Sequence, residues 1–73
     1  IGPFKTIFKR EVYFKNIMFE KDAKFSEVTF KNVNFCETVF KGKANFSSAI
    51  FEEEADFEKT EFILNNMPIV ITK

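Results

Sequence analysis

The sequence predicts an all-β solenoid, and three observations point to it. All twelve phenylalanines of the 73-residue chain recur on one beat, at Phe4, Phe8, Phe14, Phe19, Phe25, Phe30, Phe35, Phe40, Phe46, Phe51, Phe57 and Phe62, with steps of five or six residues after an opening step of four. Two residues before each stands a small or β-branched side chain: Gly2, Thr6, Val12, Ile17, Ala23, Val28, Val33, Thr38, Ala44, Ala49, Ala55 and Thr60. Where the step lengthens to six, a charged residue (Glu11, Asp22, Lys43 or Glu54) precedes the small one.

The Phe spacing excludes the two simplest elements. Side chains alternate faces along a strand, so residues five apart on a straight strand point opposite ways. In an α-helix five residues advance by roughly 140° and six by roughly 240°, which scatters the rings instead of forming a stripe. An eleven-residue coiled coil would need apolar steps of three and four and good helix formers, whereas Val, Thr, Asn and Phe are mediocre ones. What remains is a chain that turns a corner about every five residues and returns each Phe to one axis, a β-helix with short sides. The residue two before each Phe faces the same way, so each side supplies one large and one modest inward side chain. The predicted core is therefore the ring set from Phe14 to Phe62 with Ala23, Ala44, Ala49 and Ala55 beside it.

The stretches Ala44-Asn45-Phe46-Ser47-Ser48 and Ala55-Asp56-Phe57-Glu58-Lys59 resemble the repeat unit of the pentapeptide-repeat family: Ala, then Asp or Asn, then Leu or Phe, then two variable residues. The likeness covers residues 4–62 and departs from the pattern in its all-Phe centre, in Val or Ile in place of Ala in the early repeats, and in the single-residue insertions. The resemblance implies a right-handed quadrilateral β-helix with four repeats per coil and a bacterial source. Grouped by fours, the rings form columns of Phe14, Phe35 and Phe57; Phe19, Phe40 and Phe62; Phe4, Phe25 and Phe46; and Phe8, Phe30 and Phe51. Twelve corners on four sides make about three coils. Asp22 and Lys43 then occupy one corner of successive coils and are expected to form a charged ladder pair one rung, about 4.8 Å, apart. The insertions are expected as bulges pushed into solvent.

The ends are the weak points of so short a solenoid, because terminal coils expose ring faces and unpaired edges. Residues 1–62 are read as the β-helix and residues 63–73 as a C-terminal tail that caps the last coil or pairs with another chain. Ile69, Val70 and Ile71 read there as a short strand, and Asn65, Asn66 and Pro68 as a turn. Only Ile1, Gly2 and Pro3 precede the first Phe, which suggests a piece of a longer protein or an end covered by a partner.

Composition narrows the function classes. The chain has no His, so the usual general base and imidazole metal ligand are missing. Ser47 and Ser48 have no base partner by pattern and read as corner serines, and Cys36, following Phe35, reads as an outward residue without a His to activate it. The run Glu52 to Glu54 with Asp56 reads as solvated corner charge, not a cation site, and no cofactor or metal is expected. A lone cysteine excludes an internal disulfide and favours a reducing, cytoplasmic compartment. No apolar run approaches the length of a membrane span and no signal peptide is visible, while a membrane-associated parent protein stays open. Interleaved Lys and Phe follow from Lys pointing out and Phe in, so direct nucleic-acid binding is not expected, with Tyr13 alone among the aromatics off the inward register.

Net charge is zero but polarised: residues 1–36 hold seven Lys or Arg against four acids, and residues 37–73 hold four against seven. Outward Ile7, Thr29 and Ile50 are expected to stack on one side and Met18 and Val39 on another. The candidate interaction surface is Ile7, Tyr13, Ile50, Ile69, Val70 and Ile71, with a protein partner or a second copy as its occupant. A non-enzymatic structural or protein-interaction module is the reading that results. The alternative, from the resemblance, is a fragment of a DNA-mimicking inhibitor of a type II topoisomerase, against which stand the zero net charge and the short axis.

Overall fold

The computed structural model describes residues 5–64, so Phe4 and the expected strand Ile69 to Ile71 lie outside the described residues. Eight strands follow in order: β1 (Ile7–Tyr13), β2 (Met18–Phe19), β3 (Ala23–Lys24), β4 (Thr29–Asn34), β5 (Val39–Phe40), β6 (Ala44–Asn45), β7 (Ile50–Asp56) and β8 (Glu61–Phe62). They form three parallel sheets, β1-β4-β7, β2-β5-β8 and β3-β6, so every ladder joins strands about two dozen residues or fewer apart in sequence, and no helix occurs among the described residues. The result is an all-β, solenoid-like fold.

Ladder register puts the rings in file. Phe8 pairs with Phe30 and Phe30 with Phe51, while Phe19 pairs with Phe40 and Phe40 with Phe62. Rung spacing then dictates stacking, because rings repeated at roughly 4.8 Å can lie only face on face. Phe14 and Phe35 stack at 5.0 Å and 6°, Phe35 and Phe57 at 5.1 Å and 10°, Phe25 and Phe46 at 5.2 Å and 10°. Between columns the rings meet edge on, as Phe35 does with Phe46 at 87°. Phe30, Phe35 and Phe40, each stacked between two rings of its column, are fully buried and Phe46 and Phe51 nearly so, with Phe14, Phe19, Phe25, Phe57 and Phe62 half-buried against them. Ala23 and Ala44 are buried, and Ala49 and Ala55 are half-buried.

The inward threonines do more than fill space. The Thr38 hydroxyl donates to the Phe14 carbonyl, and the Thr60 hydroxyl donates to the Phe35 carbonyl at 2.8 Å. Each hydroxyl ties its turn to a backbone carbonyl of the turn stacked beside it, and the Phe35 carbonyl also accepts the Thr38 N–H at 3.1 Å. Ile17, expected inward in the same position, is 42% exposed, while its carbonyl accepts the Val39 N–H at 2.9 Å.

Two kinds of corner explain the alternation of five and six. After Phe14, Phe25, Phe35, Phe46 and Phe57 the chain turns tightly, with Asn16, Glu27, Glu37, Ser48 and Lys59 at φ near +60°. Four of these turns close by an N–H three residues on, as from Thr38 to the Phe35 carbonyl at 3.1 Å. A positive φ at the third position is the signature of a type II turn. Asn34, Asn45 and Asp56, each just before a ring, accept the N–H of Cys36, Ser47 and Glu58 and prime the turn. The other corners are bends and bulges, and all of them except the one after Phe30 take the extra residue.

The bulge differs from its expected place. Glu11 and Glu54 both keep Asn32 as register partner, so the extra residue lies among Lys9 and Arg10 in β1 and among Glu52 and Glu53 in β7, opposite the single Lys31 of β4. Asn32 repairs the ladder there: its Oδ1 accepts the Glu54 N–H at 3.1 Å, and its Nδ2 donates to Glu53 Oε1 at 3.1 Å. The Asp22 and Lys43 corner also corrects the expectation. Asp22 Oδ1 accepts the backbone N–H of Lys43 at 2.9 Å, and no ion pair joins the two side chains. The ion pair of the neighbouring column is Glu20 with Lys41, at 3.4 Å.

Candidate functional site

The richest polar cluster sits where three tight turns stack. Register pairs Tyr13 with Asn34 and Asn34 with Asp56, and the next residues follow in file: the Asn16 N–H donates to the Cys36 carbonyl at 2.8 Å and the Glu37 N–H to the Glu58 carbonyl at 2.9 Å. Lys15, Cys36, Glu37, Glu58 and Lys59 line a shallow groove of about 160 Å³. Cys36, expected as an outward corner residue, is only 9% exposed. Its turn is the middle one of three, and the turns above and below cover it.

The thiol faces acid. Cys36 Sγ and the carboxylate oxygens of Asp56 and Glu58 lie within 4.8 Å of one another. Burial, then a hydrogen bond to the Asp56 carboxylate, pushes the Cys36 thiol above its ordinary pKa. Asp56 is pulled below the ordinary carboxylate value by that hydrogen bond first, then by the Glu58 N–H and by the charge of Lys15. The thiol and the two carboxylates thus form a polar clasp across two coils. The sequence pattern hides it, because Cys36 and Asp56 stand in different repeats and only the coil length brings them together.

The other residues singled out by sequence are dispersed. Among the described residues, Glu52, Glu53 and Glu54 join no cation-binding group, and Asp56 instead faces Cys36 and Glu58. Ser47 donates from its hydroxyl to Asn45 Oδ1 at 2.8 Å, and Ser48 holds the positive φ of that turn. Tyr13 is 64% exposed, and the Glu11 carboxylate beside it raises the pKa of its phenol.

Outward side chains, by contrast, form straight columns. Ile7, Thr29 and Ile50 are successive rungs of one sheet, with Ile7 56% and Ile50 54% exposed. Met18, Val39 and Glu61 are successive rungs of another. On the face of β1-β4-β7 the corner residues change sign along the axis, from Lys9 and Arg10 through Lys31 to Glu52 and Glu53, all exposed. Ile69, Val70 and Ile71, the remaining candidates for the surface, lie outside the described residues. No described helix is long and apolar enough to cross a membrane.

In comparison with known proteins, residues 25–63, just over half of the chain, fit a family model described as pentapeptide repeats (9 copies). Neither the curated proteins nor the solved structures contain a match.

Proposed function

The chain belongs to the pentapeptide-repeat family, and from that premise we propose that it is a non-enzymatic structural or protein-interaction module built on a right-handed, four-sided β-helix of about three coils. Residues 1–62 form the solenoid in this reading, and residues 63–73 form its cap or an oligomerisation segment. The geometry that supports the four-sided coil is the Phe register: four ring columns, with Phe35 and Phe57 of one column 22 residues apart, as are Phe40 and Phe62 of the next.

One observation carries the interaction role. The polar side chains of the corners are engaged in holding the coils (Asn32, Asn34, Asn45, Asp22 and Asp56 all cap backbone N–H groups), whereas the outward columns on the sheet faces are left exposed, apolar residues among them. A face of regularly spaced side chains on a rigid ladder suits recognition of another protein surface. The topoisomerase-directed alternative has no such support, because the acidic corner of β7 is matched by a basic one on β1 of the same face.

A photo-crosslinking residue placed at Ile7, Tyr13 or Ile50 tests the reading. Discrete adducts with a protein, a second copy included, are expected. The absence of any protein adduct at all three positions overturns it.

A further inference from the structure

β1 and β7 are the outer strands of their sheet among the described residues, and they match each other better than either matches the strand between them. Both run for 7 residues, while β4 has 6. Both carry the two-residue bulge opposite Lys31. A direct β7-to-β1 ladder would therefore run without the register shift that each makes with β4.

Extended by one rung, the register sets the charges opposite one another. Phe30 follows Phe8, and Phe51 follows Phe30, so in such a ladder the residue after Phe51 in the column would be the Phe8 of a second chain. Glu52 and Glu53 then meet the second chain's Lys9 and Arg10, and Glu58 meets its Lys15. Glu54 opposite Glu11 is the one like-charge pair. Joining two β1 edges or two β7 edges would set like charges together at this corner, which favours unlike ends.

We infer that this protein associates head to tail with a second copy of itself, the β7 edge of one chain pairing with the β1 edge of the next. The inference rests on the interaction-module reading and names its partner. Such an interface is heterologous: it does not close on itself and builds open stacks of coils.

Sedimentation of the full chain over a concentration series at low salt tests it. The mass is expected to grow past the dimer as concentration rises and to fall back in about 0.5 M salt, where screening shortens to a few Å. The double variants K9E/R10E and E52K/E53K, at exposed positions, are each expected to weaken association by at least about tenfold, and an equimolar mixture of the two to restore it. Circular dichroism of both variants checks the fold, and Glu52→Gln with Glu53→Gln serves if either reversal unfolds the chain. A monomer at every concentration, or a closed dimer indifferent to both reversals, overturns head-to-tail pairing. If protein adducts still form at Ile50 in that case, the module reading survives. If none form at Ile7, Tyr13 or Ile50, both fall.

Discussion

Asp22 and Lys43 meet through the backbone and not through their charges: the Asp22 carboxylate accepts the Lys43 N–H across one coil at 2.9 Å. The bend at this corner leaves the Lys43 N–H without a ladder partner, and the side chain of the coil before supplies one. Stability should therefore follow the acceptor and ignore the lysine charge. Lys43→Glu is expected to leave urea unfolding unchanged, Asp22→Ala to lose about 0.5 to 1.5 kcal/mol, and Asp22→Asn, which keeps the oxygen, to lose less. A Lys43→Glu loss larger than that of Asp22→Ala would restore the ion-pair reading.

Gly42 lies against the same aspartate. A Cβ there would stand 2.6 Å from Asp22 Oδ1 and 2.7 Å from both the Asp22 nitrogen and the Lys21 carbonyl carbon. Two of those atoms are backbone and cannot swing aside, so Gly42→Ala must push two coils apart. A loss of about 1 to 3 kcal/mol is expected in denaturant unfolding. An unchanged midpoint would show that the coils are not in this contact.

Phe40 is fully buried between Phe19 and Phe62, stacked on both at 4.9 and 5.2 Å. Phe40→Ala should cost about 3 to 5 kcal/mol through the cavity it leaves, with a smaller loss for Phe8→Ala on the half-buried edge. Thermal melting followed by circular dichroism orders the two variants, and equal losses would contradict a core centred on the middle rings of the columns.

Glu37 sits at a φ of 57°, where an L side chain costs about 1 to 2 kcal/mol. Glycine removes that cost but loses about 0.5 to 1 kcal/mol in chain entropy. Glu37→Gly is thus expected to be neutral to stabilising by up to about 1.5 kcal/mol, and Glu37→Val, β-branched in the same conformation, destabilising. A stabilising valine would contradict the turn assignment.

Acid should loosen the clasp at Asp56. Its folded pKa lies below the ordinary value, so the ionised carboxylate favours the folded chain above the unfolded pKa, and that contribution is lost as pH falls through the folded one. Asp56→Asn removes the titration and keeps an oxygen to accept the Glu58 N–H. Its stability is expected to vary less with pH below the ordinary carboxylate range than that of the wild type. The same hydrogen bond and the burial of Cys36 predict slow thiol alkylation in the native state, faster in urea; equal rates would place the thiol in solvent.

The inward rings and the outward columns were legible because both follow from one count. A period near five in residues that must be buried admits a single way of turning, and the ring columns, the Ile7, Thr29 and Ile50 file and the position of Asp22 beside Lys43 all descend from it. The turn chemistry was less legible. Asn34, Asn45 and Asp56 stand at one fixed place before the ring, a signal present in the sequence, but their task shows only when the backbone reverses and an N–H two residues on comes within reach.

What the sequence by itself determined is the periodic part: which side chains face inward, how many residues separate one rung from the next, and that charge changes sign along the axis. The tertiary structure alone decided how each rung is completed. Whether Asp22 binds a lysine charge or its backbone, whether the bulge falls at Glu11 or among Lys9 and Arg10, and whether Cys36 lies in solvent or under its neighbours all depend on unmet backbone groups and on cover from adjacent coils. Those are contacts between residues about 21 or 22 apart, set by the closing geometry of a whole coil, and no local spacing encodes them.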